Sequence, residues 1–142
     1  MDNLEFVSDL RTIVGRLLKK LRKESSTGQL LSLTERSTMA LLHQHKTMLP
    51  SELAATEKIT NQSMSEILRH LAALGFITRT ASEQDKRKVH ISLSAEGEKT
   101  LLQVRNERDQ WLTKAINATC TPHEQEQIKK AISIFTKIVE FE

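Results

Sequence analysis

The chain has 142 residues, 38% of them apolar and only 4% aromatic; that suits one helical domain packed from Leu, Ile and Ala better than a sandwich or barrel. Four Gly and two Pro leave little room for long loops, and the single Cys120 excludes an intrachain disulfide and a Cys-rich zinc site. The formal charge of +3 permits nucleic-acid binding without demanding it.

The opening Met1-Asp-Asn-Leu-Glu5 lacks the basic start and apolar core of a secretion signal. No stretch approaches the roughly 20 apolar residues of a membrane span. The expectation is a cytoplasmic protein without a membrane partner. Val7, Leu10, Val14, Leu17 and Leu21 then recur at 3-4-3-4 spacing, the a/d pattern of a helix that packs on another helix. The basic end of this segment (Arg16, Lys19, Lys20, Arg22, Lys23) suits the negative pole of a helix, and Ser25-Ser-Thr-Gly28 breaks it.

Thr34 is a candidate cap for a second helix over about 35–45, and Pro50 is placed as the first residue of a third that buries Leu53 and Ala54. Thr60 opens a fourth. On it Met64, Ile67, Leu68, Leu71 and Leu74 share one face, while Gln62, Ser65, Glu66 and Arg69 lie opposite. Gly75 closes that helix. Two β-rich runs, 76–80 and 89–93, flank the hydrophilic tip Glu83-Gln-Asp-Lys-Arg-Lys88. Ser94 caps a long helix reaching about Thr119, and Thr121-Pro-His-Glu124 is a capping box for a last one. There Ile128, Ile132, Phe135, Ile138 and Val139 share a face.

The predicted fold is mainly α with a small β-hairpin wing, an α/β winged helix-turn-helix. One domain spans 1–142: an N-terminal dimerisation helix in 1–33, a DNA-binding unit in 34–93 and C-terminal dimerisation helices in 94–142. A short helix with hydrogen-bonding side chains outward, beside a basic hairpin, suits the major groove of double-stranded DNA with a neighbouring groove in reach. The candidate DNA contacts are Thr60, Asn61, Gln62, Ser63, Ser65, Glu66, Arg69, Arg79, Asp85, Lys86, Arg87 and Lys88. Arg79 has a competing reading, an ion pair with Asp85.

Enzyme chemistry finds no support. The chain has no Gly-rich phosphate loop, no nucleophile elbow and no tyrosine. Its five histidines show no ligand spacing with a carboxylate, so neither a metal nor a cofactor is expected. Cys120, beside Pro122 at a helix end, reads as packing before it reads as a thiol sensor. The competing class is a winged-helix protein-interaction module that never touches DNA. Glu66 is its best argument.

The ordered fragments Leu33-Thr34, Ser51-Glu-Leu-Ala54, Leu71-Ala-Ala-Leu-Gly-Phe-Ile-Thr-Arg79, Asp85-Lys-Arg87 and Ile91-Ser-Leu-Ser-Ala-Glu-Gly97 resemble the MarR family of bacterial transcription regulators. The resemblance implies a homodimer with interdigitated terminal helices on a pseudo-palindromic operator. It also implies that Asp85 orients basic wing side chains, that Arg87 enters the minor groove, and that a small apolar or aromatic effector releases the DNA. Two departures stand out. The position of Glu66 is often basic or neutral in the family, so Glu66 either accepts from a cytosine amino group or pairs with Arg69 or His70. Peroxide-sensing relatives carry a cysteine near the N-terminus, and this chain has none there.

Overall fold

A computed structural model describes residues 4–26 and 28–142. The leaderless reading of the first residues and Thr27 of the predicted break lie wholly or partly outside those described. Among the described residues six helices and one hairpin follow in order: α1 Leu4–Lys23, α2 Leu33–His45, α3 Pro50–Glu57, α4 Asn61–Ala73, β1 Ile77–Ala81, β2 Val89–Leu93, α5 Ala95–Thr119 and α6 Pro122–Val139. A single 3-10 turn at Gly28–Leu30 joins α1 to α2. The mainly helical winged fold is as predicted.

The start of α2 differs from expectation. Its cap is Ser32 rather than Thr34: the Glu35 amide donates to Ser32 Oγ (3.1 Å) and the Ser32 amide to Glu35 Oε1 (2.7 Å). This reciprocal box satisfies two otherwise orphaned donors. Thr34 instead lies inside the helix, its carbonyl accepting from the Thr38 hydroxyl.

The core sits where α2, α3 and α4 meet the wing. Leu31, Met39, Leu42, Leu53, Met64, Leu68, Leu71 and Ile91 are almost completely buried, and Leu101 joins them from α5. β1 and β2 are antiparallel with Ile77 opposite Leu93 and Ala81 opposite Val89. Met48, in the loop before α3, pairs with Ile91 through two backbone hydrogen bonds of 3.0 and 2.8 Å. That one-residue bridge fastens the base of the wing to the loop before α3. It has no sequence pattern, because a strand of one residue has no period.

Gly75, at φ +80°, turns the chain out of α4 in the left-handed region that glycine favours. The next residue, Phe76, is a joint. Its amide donates to Leu71 O (2.9 Å), ending α4, and its carbonyl accepts from the Ser94 amide (3.0 Å), where α5 begins. A Cβ on Gly97 would stand 2.0 Å from that same carbonyl oxygen. Only glycine lets the first turn of α5 lie so close to the exit of α4.

The terminal helices show the opposite pattern. Of the predicted α1 stripe, Val7, Val14 and Leu17 are exposed and Leu10 and Leu21 half-buried. α6 has no buried residue at all, and Ile132 is 62% exposed. Among the described residues, no helix is long and apolar enough to cross a membrane.

Candidate nucleic-acid interface

α4 begins with Thr60, whose side chain accepts from the Ser63 amide (3.0 Å) and donates to Ser63 Oγ (3.0 Å). Thr60 and Ser63 therefore shape the helix start before they can serve a ligand. The first-turn amides beyond this cap have no acceptor within the helix and carry its partial positive charge. Met64, Leu68 and Leu71 are buried, with Ile67 and Leu74 partly so. That face anchors α4 and turns Asn61, Gln62, Ser65, Glu66 and Arg69 to solvent, all of them exposed.

Within the wing, Ser82 donates its amide to Lys88 O, and Lys88 its amide to Asp85 O, each at 2.9 Å. Asp85 Oδ1 accepts from both the Arg87 amide (3.1 Å) and Arg87 Nε (3.2 Å). The Arg87 side chain is 92% exposed, so the pair adds little stability. What it sets is direction: the guanidinium leaves the tip with its Nη groups unpaired among the described residues. Asp85 thus pairs with Arg87 and not with Arg79, which corrects the competing reading of Arg79. Arg79 stands exposed on β1 opposite Ile91.

Helix and wing converge. Ser51 at the start of α3, Asn61 and Ser65 on α4, and Arg87 and Lys88 on the wing line one cleft. Lys86 and Arg69 are exposed outside it. Ser51 is absent from the residues selected by sequence, although its position just after Pro50 was a usable signal for a helix-start phosphate site.

Two histidines acquired carboxylate partners that spacing could not reveal. His43 Nδ1 lies 3.2 Å from Glu98 on α5, close enough for an ion pair but not aligned as a hydrogen bond. His70 Nδ1, on α4, meets Oε2 of the nearly buried Glu35 at the start of α2. Glu66 therefore pairs with neither of its expected partners: His70 is engaged elsewhere, and Arg69 forms no ion pair among the described residues.

Glu35 has the clearer electrostatics. Burial pushes its carboxyl up, but the Ser32 amide, His70 and the Ser32 hydroxyl together outweigh that and hold it below the ordinary value. Because the folded carboxyl is the stronger acid, its contribution is complete above the usual glutamate range. It disappears as pH falls through the folded value. Thermal melts from pH 7 to pH 3 should therefore show a shallower acid limb for Glu35→Gln than for wild type. Equal limbs would mean that the carboxylate does not hold α4 to α2.

Residues 31–89 match the model of the MarR family. An uncharacterized HTH-type transcriptional regulator of Mycobacterium bovis is 29% identical over 133 residues, which covers 94% of this chain and 92% of that protein. The crystal structure of a putative transcriptional regulator from Pseudomonas aeruginosa superposes with a TM-score of 0.82 at 28% identity, covering 99% of this chain and 97% of that one. Streptococcus pneumoniae FabT, solved in complex with DNA, shares the fold at a TM-score of 0.74 and 20% identity, with 98% of each chain covered. The winged unit of this chain is thus similar to the MarR family over residues 31–89, and an HTH-type transcriptional regulator and a solved putative regulator of the same architecture match it nearly end to end.

Proposed function

We propose that the protein is a DNA-binding transcription regulator, not an enzyme, that acts as a homodimer on a pseudo-palindromic operator and represses until an effector releases it. The observation that carries this is the cleft uniting the α3 start, the outward face of α4 and the wing. α4 enters the major groove with Gln62, Ser65, Glu66 and Arg69 towards base edges. Thr60, Asn61 and Ser63 bring the helix start to a phosphate. Arg79, Lys86, Arg87 and Lys88 follow the backbone and the adjacent minor groove, with Asp85 aiming Arg87. Residues 34–93 read DNA, while 1–33 and 94–142 dimerise.

Filter binding to the promoter region of its own gene at two salt concentrations tests this. Affinity should fall steeply as salt rises. A protein-interaction module would show no such binding. The two arginines should then differ in kind. Arg87→Ala should weaken binding to the operator and to a scrambled duplex alike, and reduce the salt slope by roughly two units per dimer. Arg69→Ala should cost about 1–3 kcal/mol per half-site and relax one base pair. Wild-type behaviour of Arg87→Ala on both duplexes would remove the wing from the interface.

The effector reading has its own support. Arg36 on α2 is buried, and its Nε meets no acceptor among the described residues. Burial first, then Arg108 on α5 and Arg22 on α1, draws its pKa below the usual guanidinium value. A buried cation among cations calls for an anion, and this one lies where the terminal helices meet the winged unit. Benzoate should raise the melting temperature of wild type, not of Arg36→Met, and weaken operator binding. By linkage DNA must weaken benzoate by the same factor. A flat benzoate titration on both counts would exclude an aromatic acid as the effector.

A further inference from the structure

We infer that Glu66 makes this protein select cytosine at one position of each half-site, by rejecting the other three bases. This deepens the DNA-reading role proposed above and rests on it. Glu66 is the only acidic residue on α4 and stands in mid-helix, too far from the start to gain much from the helix dipole. It is exposed and makes no hydrogen bond or ion pair among the described residues. Its one-turn neighbour His70 is held by Glu35, and the helix cap is supplied by Thr60. Nothing among the described residues accounts for a carboxylate between Gln62 and Arg69 on the face that α4 presents outward.

At neutral pH a carboxylate only accepts hydrogen bonds. In the major groove guanine offers N7 and O6, and thymine offers O4, all of them acceptors. Adenine offers one amino group beside the N7 lone pair. Cytosine alone presents its N4 amino group with no acceptor adjoining it. A carboxylate brought against guanine or thymine is desolvated without a donor, and against adenine it must also face the N7 lone pair, so discrimination arises chiefly from exclusion. The same charge repels phosphate and lowers affinity for DNA of any sequence.

Arg69 lies three residues on, about 4.5 Å along the helix axis, against a base rise of about 3.4 Å. The cytosine should therefore lie within one base pair of the guanine read by Arg69.

Selection from randomised duplexes, followed by sequencing, should be run with wild type, Glu66→Gln and Glu66→Ala. Wild type should enrich cytosine next to the guanine that Arg69→Ala no longer requires. Glutamine, which can both donate and accept, should move that preference to adenine. Alanine should abolish it. Changing that cytosine to thymine should weaken wild type roughly 10- to 100-fold and leave Glu66→Ala nearly unaffected. Both variants should also hold a scrambled duplex more tightly than wild type does. If wild type enriches a site and all three proteins prefer the same base there, Glu66 is not the discriminator and the inference is overturned. If wild type enriches no sequence at all, the DNA-reading role itself fails and takes the inference with it.

Discussion

Alanine at Gly97 should destabilise the protein by about 2–4 kcal/mol, the upper range for a single overpacked contact. The added Cβ would meet the Phe76 carbonyl oxygen at 2.0 Å and its carbon at 2.8 Å. Both are backbone atoms, so no side chain can swing aside. The carbonyl also accepts the Ser94 amide, and displacing it would disturb the start of α5 together with the exit of α4. Urea denaturation measures the cost. Gly15→Ala serves as the contrast, because a Cβ there meets nothing within 4 Å in the single chain. In that exposed helix interior alanine should stabilise by about 0.5–1 kcal/mol. Equal midpoints for the two variants would refute the joint described here.

Phe135→Ala should loosen or dissociate the proposed dimer, at a cost of about 3–5 kcal/mol if the ring is fully buried between subunits. In the single chain Phe135 is 42% exposed and Ile132 62% exposed on a helix that buries no residue. An isolated 18-residue helix is marginal in water, and its stability must come from packing of the apolar face. The α1 stripe through Val7, Val14 and Leu17 offers a second surface of the same character. Light scattering should give about twice the 16.2 kDa chain mass for wild type. A mass near 16.2 kDa at micromolar concentration would show that these faces are not joined in solution.

Periodic features were legible in the sequence. The two faces of α4 follow from 3.6-residue spacing alone, and Ser94, Thr60 and Thr121 are the caps that the structure uses. β2 has the predicted bounds and β1 starts one residue later than predicted, because Phe76 is spent on ending α4. What escaped is non-local. Glu35 and His70 are 35 residues apart, and no local pattern predicts their meeting. Ser32 won over Thr34 because Glu35, three residues on, can complete a reciprocal box with it. The Asp85–Arg87 pair, by contrast, closes within a tight turn, where two residues of separation beat the strand-to-tip reach that Arg79 required. Surface chemistry alone points to the candidate DNA contacts. They lie exposed or half-buried, as contact with a ligand requires, and the binding experiments above decide their roles.

The Phe76 joint separates two properties that a regulator must be able to change independently. In the proposed dimer, the distance between the two α4 helices is set by α5, because the start of α5 is fastened to the exit of each α4 through the Gly75 and Phe76 carbonyls. In the same proposal the letters read are set by Gln62, Ser65, Glu66 and Arg69, which stand on the opposite, exposed face of α4. A lineage can thus acquire a new operator text by surface changes that cost almost no stability. A new half-site spacing demands rebuilding around Gly97, where the first step is penalised. Descendants of this chain should therefore diversify in vocabulary long before they diversify in metre.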